Sequence, residues 1–185
     1  MIHQQKYFKE LVKKISTKKA KEINTPIATA TKLDLDETGP NVEQKLYREM
    51  IRSLLYLTAT RPNIVFSVGL CARFQANPKE FHLKSVKKSF RYLKGTSNLG
   101  LWYPKGSNFN LVGYSDVDYA GYLVDRKSTI SMAYFLGSCL IIWSTKKQNS
   151  VALSTAEAEY VAPGSYCSQL LWIKRQLIDF GVDRC

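Results

Sequence analysis

Two carboxylates spaced two residues apart are the feature of this sequence that first suggests chemistry. Asp116 and Asp118 lie in the segment YSDVDYAG, at residues 114–121. In a β-strand, residues i and i+2 point to the same face, and two like charges side by side are costly unless a cation lies between them. The alternative is a polar turn, because Asp, Ser and Gly favour turns and Gly121 ends the segment. These eight residues alone leave both interpretations open.

The positive charge of the chain is concentrated in its first half. Residues 1–100 hold 19 Lys and Arg against 8 Asp and Glu, whereas residues 101–185 hold 8 against 7. A basic module predicts an anionic partner, most often nucleic acid, and the alternative is a solvated lysine-rich surface. Spacings of three and four along a helix at 80–94 place most of its basic residues on one face. We predict that these residues bind nucleic acid: Lys84, Lys87, Lys88, Arg91 and Lys94.

Cysteine usage and hydropathy argue against several other classes. The four cysteines are far apart and the chain has two histidines, so a zinc site is not expected. The N-terminus, MIHQQKYFKE, lacks the apolar region of a secretory signal, and no apolar run is long enough to span a membrane. We therefore expect an intracellular protein, in cytoplasm or nucleus, with no membrane partner, not secreted, and with its thiols reduced.

Apolar periodicity predicts an α+β protein with helices first and strands later. It predicts helices at 4–16, 44–60, 64–75, 80–94 and 155–180, with a break at Pro62 and a long loop at 17–42. Short runs rich in Tyr, Phe, Ile, Val and Trp predict antiparallel strands at 100–103, 111–119, 130–136 and 139–145.

Four segments closely resemble the Pol polyprotein of copia-type LTR retrotransposons. They are LYREMIRSLLYLTATRPNIVFSVGLCARF, HLKSVKKSFRYLKGTSNLGLWY, GYSDVDYAGYLVDRKST and WSTKKQNSVALSTAEAEYVA, in the order of the family. The resemblance covers essentially the whole chain, from the end of reverse transcriptase into ribonuclease H. It implies that residues 1–95 are a basic helical region like the thumb and connection. It also implies that residues 96–185 are the N-terminal part of an incomplete ribonuclease H-like unit, with antiparallel strands and one long helix.

The resemblance also implies a metal-dependent phosphodiester hydrolysis that acts on RNA–DNA hybrids. Such a site uses two Mg²⁺ (or Mn²⁺) ions held mainly by carboxylates. Asp116 stands at the position of the first metal-binding aspartate, and Glu159, within EYVA, matches the glutamate of the following helix. We predict both as catalytic residues and metal ligands, and Asp118 as a further metal ligand or a solvated acid at the strand end.

Two further groups accompany this site. Glu157 competes with Glu159, but the two lie about 200° apart around a helix, so only one can face the strand. We expect Glu157 to be a first-turn acid favoured by the helix dipole. Arg126 and Lys127 are predicted to meet nucleic-acid phosphates, with an ordinary polar turn as the alternative.

Departures from the family pattern predict a fragment without catalysis. The Tyr-x-Asp-Asp motif and the palm of the polymerase are absent, and Asp179 and Asp183 do not match the later ribonuclease H aspartates. Pro163 stands where the family has alanine, and we expect it to break or kink the helix at a cost of about 3 kcal/mol. Arg52 replaces a glycine on a face where the family packs closely.

Three hypotheses follow: an inactive fragment of a Pol polyprotein, a non-catalytic nucleic-acid-binding remnant, and a translated relic without function. The first two predict nucleic acid as a partner. The first also predicts contact with the remainder of the polyprotein.

Overall fold

The computed structural model describes residues 1–14, 21–28, 33–106 and 108–182. The chain forms two compact units, Met1–Leu101 and Trp102–Cys185. Residues 96–101, which we predicted in the second domain, belong to the first unit, where Leu101 forms an isolated antiparallel bridge with Ile2. The strand predicted at 100–103 is wrong for this reason. Residues 15 and 16 of the predicted first helix, part of the predicted loop, Asp183 and Cys185 lie outside the described residues.

The described part of the first unit is helical. It contains α1 (Gln5–Lys14), α2 (Gln44–Leu57), α3 (Val65–Ala72) and α4 (Glu80–Gly95), with a 3₁₀ turn at Pro62–Ile64. The break predicted at Pro62 is confirmed. The apolar faces of these helices form a core whose fully buried side chains include Tyr47, Ile51, Leu54, Val68, Val86 and Phe90. The basic residues of α4 therefore face away from this core.

A buried lysine at the N-terminus of α4 forms hydrogen bonds to the loop at 33–41. Lys79 is only 5% exposed. Its ammonium group donates to three oxygens: Glu37 O at 3.4 Å, Gly39 O at 3.2 Å and Asn41 Oδ1 at 2.8 Å. His82 accepts the N–H of Lys79 on Nδ1 at 3.0 Å, which completes a capping arrangement at the helix start. A buried cation held by neutral oxygens makes this loop part of the helical unit.

The second unit is an antiparallel sheet with one long helix. Strands β1 (Leu111–Asp118), β2 (Thr129–Leu136) and β3 (Cys139–Lys147) lie in the order β1-β2-β3. Helix α5 (Thr155–Asp179) packs mainly on β1. These elements agree with the predicted strands at 111–119, 130–136 and 139–145 and the predicted helix at 155–180. The arrangement is compatible with part of a ribonuclease H-like unit.

The helix break that we expected at Pro163 does not occur. Helix α5 continues through Pro163 from Thr155 to Asp179. Proline removes the N–H that would bond to the carbonyl of Glu159, but packing holds the helix on both sides of it. Ala158 and Ala162 are buried before the proline, and Ile173 is buried after it. Tertiary contacts therefore outweigh the local preference.

Two further expectations concern the state of the cysteines and the presence of membrane-spanning helices. Among the described residues, Cys71, Cys139 and Cys167 form no disulfide. Burial raises the pKa of the Cys71 thiol to about 12, so this group stays protonated at neutral pH. Across the described ranges, no helix combines the length and apolar character needed to cross a bilayer.

Candidate functional site

The two carboxylates of the opening segment lie on a strand. Asp116 pairs with Ser131 and Asp118 with Thr129 in the β1–β2 ladder, and both acids are exposed. The turn interpretation is therefore wrong for Asp116, and the turn begins only after Asp118. Because side chains alternate along a strand without a bulge, the two acids project from the same face of the sheet.

Helix α5 packs on the opposite face of β1. A Cβ at Gly113 would lie 2.6 Å from Cε2 of Tyr166 and 3.0 Å from Cδ1 of Tyr134, so this position points at the helix. The Tyr166 ring stacks on Tyr134 with 5.6 Å between centroids, and its hydroxyl donates to Gly113 O at 2.9 Å. Gly113 and Asp116 are three residues apart and point to opposite faces. Asp116 and Asp118 therefore project away from α5.

Strand β1 forms one edge of the described sheet. The N–H of Gly137 bonds to Asn110 O at 2.7 Å, which fixes the alternation of the β1–β2 ladder. By this alternation the backbone groups of Gly113, Ser115 and Val117 point outward from the sheet. The Tyr166 hydroxyl takes the outward carbonyl of Gly113. The exposed edge of β1 therefore separates the face of the sheet that carries Asp116 from the face covered by α5.

The first turn of α5 distinguishes the two glutamates. Ser154 is the N-cap, and its Oγ accepts the N–H of Glu157 at 3.1 Å. Oε2 of Glu157 accepts the N–H of Leu153 at 2.7 Å, so Glu157 is part of a reciprocal capping arrangement. This agrees with the first-turn role predicted for Glu157. Glu159 is exposed on another side of the helix, next to the fully buried Ala158.

Gln148, which no spacing pattern predicted, connects the first turn of α5 to the sheet. Its side chain is 4% exposed, and its Nε2 donates to Ala158 O at 2.8 Å. Its backbone N–H donates to Ser128 O at 2.9 Å, while the Ser128 hydroxyl accepts the N–H of Ala120. The Oε1 atom of Gln148 is buried without a partner among the described residues. Gln148 stands in the polar segment KKQNS, where nothing in the spacing signals burial.

The chain after β1 forms the polar turn that was the alternative for Arg126 and Lys127. The Asp118 carboxylate folds over Gly121, where any side chain would collide with it. Arg126 has a positive φ of 57° and its N–H donates to Tyr122 O at 2.8 Å. The Arg126 side chain is exposed and that of Lys127 is half-buried. Their backbones belong to the turn, and the phosphate-binding role of their side chains stays a prediction.

An ion pair closes the same turn onto β3. Nζ of Lys147 lies 2.8 Å from Oδ2 of Asp125 and 4.8 Å from the centroid of the Tyr122 ring. Desolvation works against ionisation of Asp125, but hydrogen bonds from the Lys147 side chain and the Lys127 N–H outweigh it. The pKa of Asp125 is therefore held below its usual range. Asp125 is thus a structural acid rather than a free one.

The donor chemistry of the predicted acids suits magnesium, and these acids come from β1 and α5. Carboxylate oxygens are the ligands that Mg²⁺ prefers. Within the described residues, no three His, Cys, Asp or Glu side chains form a group that could hold a metal ion. Asp116 and Asp118 project from one face of β1, whereas Glu159 belongs to the helix on the other. The assignment of these acids as metal ligands stays a prediction.

The predicted basic stripe lies on the solvent side of α4, but its members differ in their partners. Lys84 pairs with Glu80 at 3.1 Å and Lys94 with Glu22 at 3.8 Å. Nε of Arg91 donates to Lys21 O at 2.7 Å. No ion pair or side-chain hydrogen bond joins Lys87 or Lys88 to another described residue. These two lysines are the members of the stripe most available to an external anion.

Helix α2 carries a second basic surface, which includes Arg52. Lys45, Arg48 and Arg52 are exposed at spacings of three and four, so they share one face. Tyr56 continues this face, 58% exposed, and its ring meets that of Tyr7 edge-on at 4.7 Å. The expectation that Arg52 lies on a closely packed face is wrong for this chain, because its side chain is in solvent.

Comparisons with known proteins place the chain among transposon proteins. It is 36% identical to the retrovirus-related Pol polyprotein from transposon RE1 of Arabidopsis thaliana, over 98% of this chain and 12% of the relative. It is 36% identical to the Pol polyprotein from transposon TNT 1-94 of Nicotiana tabacum, over 98% of this chain and 14% of the relative. An uncharacterized mitochondrial protein of Arabidopsis thaliana, AtMg00810, is 30% identical over 92% of this chain and 71% of its own length.

No family model and no solved structure matches the chain. The Pol polyproteins are far longer than the segment they share with it. The identity nevertheless extends over nearly all of this chain in each of them. The chain belongs to the family of retrovirus-related Pol polyproteins from copia-type transposons.

Proposed function

We propose that this chain is a non-catalytic, nucleic-acid-binding segment of a retrotransposon Pol polyprotein. Its partner is the RNA–DNA hybrid that arises during RNA-directed DNA synthesis, or another nucleic acid of similar backbone charge. The parent activity, reverse transcription with ribonuclease H cleavage, belongs in this proposal to the whole polyprotein. The setting is intracellular, in cytoplasm or nucleus, where such hybrids form.

The solvent-facing side of α4 carries the binding proposal. Its opposite side is buried through Leu83, Val86 and Phe90, so the helix cannot turn its lysines inward. Lys87 and Lys88 lie on that outer side without a described protein partner, one turn from the paired Lys84. Such lysines neutralise phosphate groups, and the nucleic acid then releases its condensed counterions. This gives affinity for nucleic acid without sequence preference. Hybrid recognition through backbone charge and 2′-hydroxyl contacts fits this surface.

The absence of catalysis is proposed from the separation of the acids. A two-metal hydrolysis needs several carboxylates converging on one point. Here the acids of β1 project from one face of the strand, and Glu159 lies on the helix that packs on the other. Mg²⁺ or Mn²⁺ binding by Asp116, Asp118 and Glu159 would require side chains to meet around the edge of β1.

Binding is tested with a labelled RNA–DNA hybrid and fluorescence anisotropy over a range of salt concentrations. Affinity should fall steeply with salt, and Lys87→Ala with Lys88→Ala should make the negative slope of log K against log salt shallower by about 1.8. The matched control is Lys105→Ala with Lys146→Ala, which removes the same charge from the second unit. Equal losses for both pairs would refute the assignment to α4, and salt-independent binding would refute the phosphate mechanism.

Catalysis is tested on the same hybrid with magnesium, with manganese and with EDTA. We expect no cleavage from a folded sample. Metal-dependent cleavage that disappears in Asp116→Asn would show that the acids do assemble, and the non-catalytic part of the proposal would be wrong. Binding by Asp116→Asn should stay close to that of the unchanged chain, because Asp116 lies in the other unit from the α4 lysines.

A further inference from the structure

The solvent side of α5 carries a regular seam that nothing in the described unit covers. Its members follow one another at spacings of four, three, four, three and four residues, and all are exposed: Tyr160, Gly164, Cys167, Leu171, Lys174 and Ile178. Tyr160 is 85% exposed, Leu171 66% and Ile178 48%. The buried side of the same helix is formed by Ala158, Ala162 and Ile173. Tyr160, Leu171 and Ile178 thus lie on a different side of α5 from Ala158, Ala162 and Ile173.

The spacing of this seam is that of a helix-packing interface. Alternating steps of three and four keep a stripe facing a second helix over several turns. Two small residues, Gly164 and Cys167, occupy its middle, where they would let a second backbone approach closely. A Cβ at Gly164 would have no described heavy atom within 4 Å, so the space above it is open. Such a stripe of large apolar side chains in water favours association.

The order of side chains along the seam identifies the occupant. If two copies of α5 pair antiparallel about a twofold axis between residues 165 and 166, Tyr160 faces Leu171 of the second copy and Gly164 faces Cys167. In the same register Glu157 faces Lys174 of the second copy, at both ends of the interface. Parallel pairing would instead place Glu157 beside Glu157 and Lys174 beside Lys174, which is unfavourable.

The residue before the helix fits the same register. Leu153 is 88% exposed and immediately precedes the N-cap. In the antiparallel arrangement it faces Ile178 of the second copy. In the single chain this side chain is exposed to solvent, whereas in the pair it covers the end of the seam. In this one register, apolar residues face apolar residues, small residues face small residues, and opposite charges face each other across the two copies.

We propose that this chain self-associates as an antiparallel pair of α5 helices, with a second copy of the same chain as the partner. Neither nucleic-acid binding nor hydrolysis enters this inference. It stands if the proposed function fails.

The test is sedimentation equilibrium of the purified chain from low micromolar to near-millimolar concentration. We expect a reversible monomer–dimer equilibrium that Leu171→Glu weakens at least about tenfold, because a central apolar contact is replaced by a charge. Leu55→Glu is the matched control, since Leu55 is 46% exposed on a helix of the other unit. It should leave the dimer constant unchanged. A chain that stays monomeric throughout, or equal effects of the two variants, would overturn the proposal.

A charge exchange tests the antiparallel register. Lys174→Glu should weaken the dimer several-fold by placing like charges together, and adding Glu157→Lys should restore it. Circular dichroism at low concentration verifies that each variant is folded, since Glu157 also belongs to the cap of α5. Failure of the double variant to recover would refute this register, whereas recovery would support it, because a parallel pair predicts no such compensation.

Discussion

Replacing Gly113 with alanine probes the contact that decides where the acids of β1 point. The new Cβ would lie 2.6 Å from Cε2 and 2.7 Å from Oη of Tyr166, so the ring must move. Overpacking of this kind costs about 1–3 kcal/mol. Displacing Tyr166 from Tyr134 costs roughly 0.5–1.5 kcal/mol more through the lost ring stack. We expect Gly113→Ala to lower the free energy of unfolding of the second unit by about 1.5–4.5 kcal/mol.

Tryptophan fluorescence isolates this effect, because Trp102, Trp143 and Trp172 all lie in the second unit. Urea unfolding followed at the tryptophans gives the change directly. Gly164→Ala is the matched control, and at a concentration where the chain is monomeric it should gain about 0.5–1 kcal/mol because alanine is the better helix former. Tyr166→Leu in the Gly113→Ala background should recover part of the loss through their coupling. A loss below about 0.5 kcal/mol, with no coupling, would refute the placement of α5 over Gly113.

Three further outcomes follow from the described contacts. Lys79→Met should lower the free energy of unfolding of the first unit by about 2–4 kcal/mol, because three partly buried hydrogen bonds of a buried ammonium group are lost; unfolding followed by circular dichroism tests it. Ser154→Ala should cost about 1 kcal/mol in tryptophan-monitored unfolding through the lost N-cap, whereas Glu159→Gln should leave the midpoint unchanged. The depressed pKa of Asp125 stabilises the fold above about pH 4, and this contribution is lost as pH falls through the folded-state pKa. Asp125→Asn should therefore differ from the unchanged chain at neutral pH by about 0.5 kcal/mol, and the difference should vanish in acid, since Lys147 then faces a neutral partner in both.

The elements of this fold were largely readable because their signals are local. The proline at 62, the glycines between strands and the Ser154 cap each act within a few residues, and the structure has boundaries close to those predicted. The strand predicted at 100–103 failed because its pattern could not show its partner. Leu101 bridges to Ile2, almost one hundred residues earlier. The helix break predicted at Pro163 was wrong for a similar reason. The local free-energy cost of proline in a helix was outweighed by the packing of Ala158, Ala162 and Ile173.

The candidate site was only partly readable from the sequence. The Ser154 and Glu157 pattern is a capping signature, so the role of Glu157 could be predicted from spacing. Gln148 could not, because a glutamine in a polar segment looks like surface. The basic stripe of α4 was predicted as a face, but Lys84, Arg91 and Lys94 find partners that lie far away in sequence or on the same helix. Because those three side chains have partners within the protein, Lys87 and Lys88 are the accessible part of the stripe.

The orientation of the acids illustrates what strand periodicity can and cannot decide. Periodicity places Asp116 and Asp118 together, but it does not say which face the helix covers. That choice is made at Gly113, where the missing side chain admits the Tyr166 ring and its hydroxyl reaches the outward carbonyl. Because Asp116 is three residues from Gly113 along the strand, it points to the face opposite the one on which the helix packs. A carboxylate on α5 can then meet Asp116 only around the edge of β1, so whatever pairs with or covers that edge decides whether these acids share a metal ion.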